Sequence, residues 1–148
     1  MVIWKASHQG DGVTPRTQEK VFKKEYAIEL LRIAQGDLAS AQALFNAKQG
    51  RPENIGFHCQ QVIEKALKAV LVSLSIPVPL VHDAGTLVAK LPQTLTPPQG
   101  YDLSQLTAFA TIRRYEEGGA DLTQEELQGI IAIAKAVLEW SIARFKEK

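Results

Sequence analysis

Lys65 and Lys68 stand three residues apart within FHCQQVIEKALKAVLVSL, the run from Phe57 to Leu74. On a helix that spacing places two ammonium groups on one surface, close enough together to hold phosphate oxygens. Glu64 stands at i, i+4 to Lys68, so a structural ion pair on a solvated face is an equal reading of the same residues. Downstream, His82-Asp83 follows a proline turn. A helix starting there offers unpaired N–H groups to an anion, unless Asp83 takes that role as N-cap and His82 holds the turn. Arg113-Arg114-Tyr115 forms a third cluster, in which an arginine fork can hold phosphate while the ring packs or stacks on a base. Its plainer reading is a helix C-terminus, where the dipole favours cations. Arg113 follows Phe109 and Ala110 by four and three residues, leans inward, and so needs an anionic partner.

Other chemistry finds little support. His8, His58 and His82 make no local ligand cluster, and the chain holds neither an HExxH helix motif nor a GxxxxGK[ST] phosphate loop. No catalytic residue, metal or cofactor is expected. Glu116-Glu117 reads as a solvated pair, because adjacent side chains diverge. Cys59, the single cysteine, falls on an apolar helix face and reads as a small buried hydrophobe of a reducing compartment. Seventeen basic against sixteen acidic residues give a net charge of +1. That balance excludes bulk coating of nucleic acid and leaves only a local anion site.

The elements that must position these residues are helical. Residues 1–18 carry Gly10, Gly12 and Pro15 among polar residues and read as a flexible extension; residues 19–148 read as one domain. From about Glu19 to Ala47, the positions Ala27, Leu30, Leu31, Ala34, Leu38, Ala41 and Phe45 form one helical stripe. Lys48-Gln49-Gly50 ends it, and Pro52 suits the first turn of an antiparallel second helix. In that helix Cys59, Val62, Ile63, Ala66, Val70 and Ser73 form the apolar face, with Gln60, Gln61, Glu64, Lys65 and Lys68 around its flank and back. It stops before Pro77 and Pro79.

Asp83 then caps a short helix to about Leu91, and Asp102 is placed to cap another to about Tyr115, with Tyr101 facing Leu106 as a staple. Thr123 and Glu126 form a capping box for the last helix, flanked by Leu122 and Leu127. No strand alternation of useful length competes. The expected fold is an all-α, up-and-down antiparallel four-helix bundle with one short extra helix. No apolar run approaches the ~20 residues a membrane span needs, and a cytoplasmic protein is expected. Leu67, Leu71, Ile112 and Ile142 are apolar positions beyond the four stripes and read as surplus surface for a homodimer.

QQVIEKALKAVLVSLSIPVP, then HDAGTLVAKL, then ATIRRYEEG before a long C-terminal helix, together resemble the HEPN domain, named for nucleotide binding in higher eukaryotes and prokaryotes. The resemblance runs from about Tyr26 to Phe145. It implies a dimer that binds a nucleotide or nucleic-acid phosphate, with Lys65, Lys68, His82, Arg113, Arg114 and Tyr115 as contacts. The chain is similar to small HEPN proteins paired with minimal nucleotidyltransferases in toxin-antitoxin systems, which implies such an enzyme as partner and Tyr115 as a target for nucleotide modification. The alternatives are a ribonuclease toxin and a purely structural dimerisation module. Many HEPN ribonucleases carry an arginine followed four to six residues later by histidine near the last helices, whereas this chain has no histidine after His82. Arg51 and His58 have six intervening residues but lie at the start of the second helix, away from that position.

Overall fold

A computed structural model describes residues 18–100, 102–105 and 122–146. A two-residue strand β1 (Glu19–Lys20) leads into helix α1 (Glu25–Ala47) and helix α2 (Pro52–Ser73). A second short strand, β2 (Val78–Pro79), precedes helix α3 (Ala84–Lys90); a helical turn follows at 102–105, and helix α4 (Gln124–Lys146) closes the chain. The protein is thus mostly helical. Residues 1–17, the stretch 106–121 with Ile112, and the Tyr101–Leu106 staple lie outside the described residues.

The ends of α1 and α2 follow local chemistry. Lys48 adopts φ 53° and the left-handed region, its N–H bonded to the Phe45 carbonyl at 3.2 Å while Gln49 N–H bonds to the Leu44 carbonyl at 3.2 Å. These two bonds are a Schellman motif, with lysine where glycine is usual. Pro52 occupies the first turn of α2, where a missing N–H costs nothing. Thr123 and Glu126 form the expected capping box: Thr123 N–H donates to Glu126 Oε1 at 2.8 Å and Glu126 N–H to Thr123 Oγ1 at 3.1 Å. Leu122 and Leu127, beside it, are buried.

α2 is the central element, packed against α1, α4, α3 and β2. Asp37 meets His58, and Leu30 shares a cavity with Lys68 and Val72, so α1 and α2 run antiparallel. Ser141 Oγ donates to the Ala66 carbonyl at 2.8 Å, and Leu127 lies near Ile55, so α4 runs parallel to α2. All six residues of the expected apolar face of α2 are buried. Cys59 is among them, fully enclosed, and burial pushes its thiol up to about 12, which keeps it an inert packing group.

Three expectations are corrected. The first helix begins at Glu25 rather than near Glu19, because the preceding residues pair as β1 with β2, antiparallel, Glu19 opposite Pro79 and Lys20 opposite Val78. Leu80 N–H extends the pairing to the Gln18 carbonyl at 2.9 Å, and Lys90 Nζ reaches Glu19 Oε2 at 2.5 Å. Two-residue strands are too short to leave a periodic signal. Leu67 and Leu71, read as surplus surface for a dimer, are fully buried inside the chain because α2 is covered on several sides. Asp102 lies within its helical turn, not ahead of it; the turn is entered by Asp102 N–H to the Gln99 carbonyl and Leu103 N–H to the Gly100 carbonyl.

Asp83 caps α3 as expected. Its carboxylate accepts from Gly85 N–H and Thr86 N–H, both at 3.2 Å, from Thr86 Oγ1 at 2.7 Å and from Ser104 Oγ at 3.1 Å. The Ser104 bond draws the 102–105 turn onto the start of α3. At Gly85 a Cβ would stand 2.9 Å from Ser104 Cβ, so only glycine allows that approach. The Thr86 hydroxyl chiefly, and the other donors after it, hold the Asp83 carboxyl below its ordinary value of 3.8.

Two outcomes follow for urea denaturation. Lys48→Gly raises stability by about 1 kcal/mol by relieving the left-handed backbone of a residue with a Cβ. Asp83→Ala lowers it by about 1 kcal/mol near pH 7. A depressed carboxyl contributes fully above its unfolded pKa and loses that contribution as pH falls through the folded one, so this difference shrinks below pH 3.8.

Candidate functional site

Three segments converge on a cavity of about 160 Å³: α1 with its lead-in through Phe22, Tyr26 and Leu30, the middle of α2 through Glu64, Lys65, Lys68 and Val72, and the β2 segment through Val78, Leu80 and His82. The β1–β2 pairing brings the first and third of these together. Glu64, Lys68 and Val72 succeed one another by four residues and therefore share one side of α2.

Glu64 organises the polar part. Its side chain is only 3% exposed, and Oε1 accepts two hydrogen bonds of 2.9 Å, from Lys68 Nζ and from His82 Nδ1. An ionised carboxylate only accepts, so His82 carries its hydrogen on Nδ1 and keeps Nε2 as its remaining polar atom. The His82 ring is 81% exposed, at the cavity rim. Glu64 Oε2, by contrast, is closed to solvent and has no hydrogen-bond partner among the described residues.

The remaining cation is placed differently. Lys65 Nζ donates to the neutral Gln61 Oε1 at 2.7 Å, and among the described residues no acid pairs with it. Glu64 thus neutralises Lys68, while Lys65 brings its charge to the cavity lining with no acid partner among the described residues. The aromatic wall is Phe22 stacked on Tyr26, ring centroids 4.8 Å apart, with Lys20 Nζ 5.0 Å from the Phe22 centroid.

Of the residues singled out in the sequence, Lys65, Lys68 and His82 line this one cavity, while Arg113, Arg114 and Tyr115 lie outside the described residues. The sequence pattern puts Glu64 on a solvated flank. It is buried instead, because Glu64, Leu67 and Leu71 form a second stripe at i, i+3, i+7 that faces protein on another side of α2. Phe22 and Tyr26 went unrecognised as walls; the one signal was Tyr26 four residues before Leu30, on the same helix side. Arg51 pairs with Glu53 at 2.5 Å and His58 with Asp37 at 3.0 Å, so each serves a separate carboxylate rather than a shared centre. Among the described residues no group of three or more His, Cys, Asp or Glu side chains is placed to hold a metal ion.

The model of the HEPN domain matches residues 27–146, most of the chain. The chain belongs to the HEPN domain family. Comparison with curated proteins and with solved structures finds no match. Membership supports a nucleotide- or RNA-related function in general, and HEPN domains commonly dimerise. Among the described residues of this HEPN domain, no helix is long and apolar enough to cross a membrane.

The unequal roles of the two lysines set an expectation for stability. Lys68→Ala leaves the buried Glu64 carboxylate with His82 alone and lowers unfolding free energy by about 3 kcal/mol. Lys65→Ala removes only a contact to Gln61 and changes it by less than about 0.5 kcal/mol. Urea titrations of the two variants give the comparison.

Proposed function

We propose that this HEPN domain is a nucleotide-binding module, with the heterocycle held in the α1–α2–β2 cavity and the phosphate at its mouth on Lys65, joined by His82 Nε2 where the imidazole is protonated. The observation that carries this reading is the division of charge: Glu64 pairs with Lys68 at 2.9 Å, while among the described residues Lys65 meets a neutral amide and no acid, beside a pair of stacked rings. An anion is favoured at the rim, and repelled from the floor where the carboxylate sits. The volume agrees, since about 160 Å³ falls short of the ~300 Å³ at which pockets begin to enclose whole drug-sized ligands. One ring fits inside, and the rest of the ligand must extend outward.

Arg113 and Arg114 are proposed as further phosphate contacts and Tyr115 as a stacking partner or modification target. The rest of the reading is a homodimer serving as partner of a minimal nucleotidyltransferase, with residues 1–18 as an extension to one domain. We place the stretch beginning at 102–105 as the helix that completes an up-and-down four-helix bundle. The parallel course of α2 and α4 supports that placement, because alternating helices have the same direction in such a bundle.

Calorimetric titration with AMP tests the central claim. Binding is expected to weaken with added salt and to fall at least tenfold in Lys65→Ala, with the thermal midpoint of the free protein unchanged. RNA cleavage by the purified protein that disappears in Arg113→Ala would replace this reading with the ribonuclease one.

A further inference from the structure

His82 joins an exposed ring to a buried acid. Its Nδ1 donates to Glu64 Oε1 at 2.9 Å, and while the glutamate side chain is 3% exposed the imidazole is 81% exposed. Lys68 Nζ donates to the same oxygen at 2.9 Å, so the acid is held by α2 as well. An ionised carboxylate requires the hydrogen on Nδ1, which leaves the lone pair of the neutral ring on Nε2. The exposure of the ring falls on the atoms away from Glu64, Nε2 among them. His58 offers a contrast within the same chain. Its Nδ1 meets Asp37 at 3.0 Å, but there the ring is mostly covered and the acid is partly solvated. Only His82 pairs a fixed, fully buried carboxylate with an open nitrogen.

We propose that His82 Nε2 is a phosphoryl-acceptor site, modified by a small donor with a good leaving group, of the acyl phosphate or phosphoramidate class. Histidine is an established covalent nucleophile, and it needs its lone pair aimed and its tautomer fixed. In the step itself the Nε2 lone pair forms an N–P bond while the bond from phosphorus to the leaving group breaks. The leaving group takes that electron pair, as acetate from acetyl phosphate or as ammonia from the protonated amine of phosphoramidate. No proton has to leave the ring. The hydrogen on Nδ1 stays on Glu64, and the carboxylate meets the positive charge that the ring gains. Lys65, which has no acid partner among the described residues, lines the same cavity and draws the phosphoryl oxygens to it. Glu64 is therefore a positioning residue, and His82 carries the bond. The proposal stands apart from the nucleotide-binding reading, since it needs no base in the cavity.

Incubation of the full chain with phosphoramidate gives the measurement, with phosphoryl gain followed by intact mass and placed by peptide mapping. His82 is expected to react at least about tenfold faster than N-acetylhistidine in the same solution. The adduct is expected to be lost in acid and kept in alkali, as an N–P bond is. Glu64→Gln keeps an acceptor for Nδ1 but removes the charge opposite the ring, and its His82 is expected to react at least about fivefold more slowly. Three results would overturn the proposal: a wild-type rate no greater than that of N-acetylhistidine, a preference for His8 or His58 over His82, or an unchanged rate in a Glu64→Gln protein that retains its helical circular dichroism. The first two use the wild-type chain alone and decide the matter even where Glu64→Gln fails to fold. AMP titration is indifferent to all three, so the two readings fail separately.

Discussion

The burial of the Glu64 carboxylate in the middle of α2 is the constraint from which much of the remaining structure follows. A charge with 3% of its side chain exposed must be met by donors, and α2 supplies only one, Lys68, a turn further on. The second comes from outside the helix, in His82, which fixes the course of the chain after β2. β2 in turn pairs with β1, and so sets the position of the segment that enters α1. Replacing a buried ion pair by well-packed apolar residues is often neutral or stabilising. Stability alone therefore gives little reason for a glutamate here, among Leu67, Leu71 and Val72, where leucine would pack. What the glutamate does here is hold Lys68 and His82 together at the wall of the cavity.

The same carboxylate arranges the charge around that cavity. By pairing with Lys68 it makes Lys65 the cation of the cavity lining without an acid partner among the described residues, although Lys65 and Lys68 are only three residues apart on the same helix. Adjacent lysines on a helix look equivalent to any argument based on spacing. What separates them, among the described residues, is the partner each has: a buried acid for Lys68 and a neutral amide for Lys65.

Features set by neighbours in sequence were legible before any coordinates. The ends of α1 and α2 around Lys48, Gly50 and Pro52, the Asp83 cap and the Thr123–Glu126 box all depend on side chains within a few residues of the backbone groups they satisfy. The main face of α2 was legible for the same reason, since its period is local. Features set by distant segments were not. One stripe predicts one buried face, but α2 is covered by α1, α4, α3 and β2 together, so the pattern leaves Glu64, Leu67 and Leu71 on a surface they do not occupy. The β1–β2 pairing joins residues some sixty positions apart, and two residues per strand give no alternation to read. Of the site, the cations Lys65 and Lys68 and the rim residue His82 could be named in advance. The acid that orders them, and the Phe22–Tyr26 wall opposite, could not.

His82 and Asp83 show how two adjacent residues give one loop a single course. The imidazole reaches back to α2 through Glu64, while the carboxylate turns forward to cap α3 and to hold Ser104. Either contact alone would leave the segment free to pivot about the other end. Together they tie the rim of the cavity to the orientation of α3 and to the 102–105 turn. The Asp83 carboxylate also fills the anion position at the start of α3, so the donors there are already used by the protein itself. An incoming phosphate is left with Lys65, on the cavity side of the loop. The expectation of an anion near His82-Asp83 is thereby divided between the two residues: the aspartate supplies the anion for the helix, and the histidine belongs to the cavity.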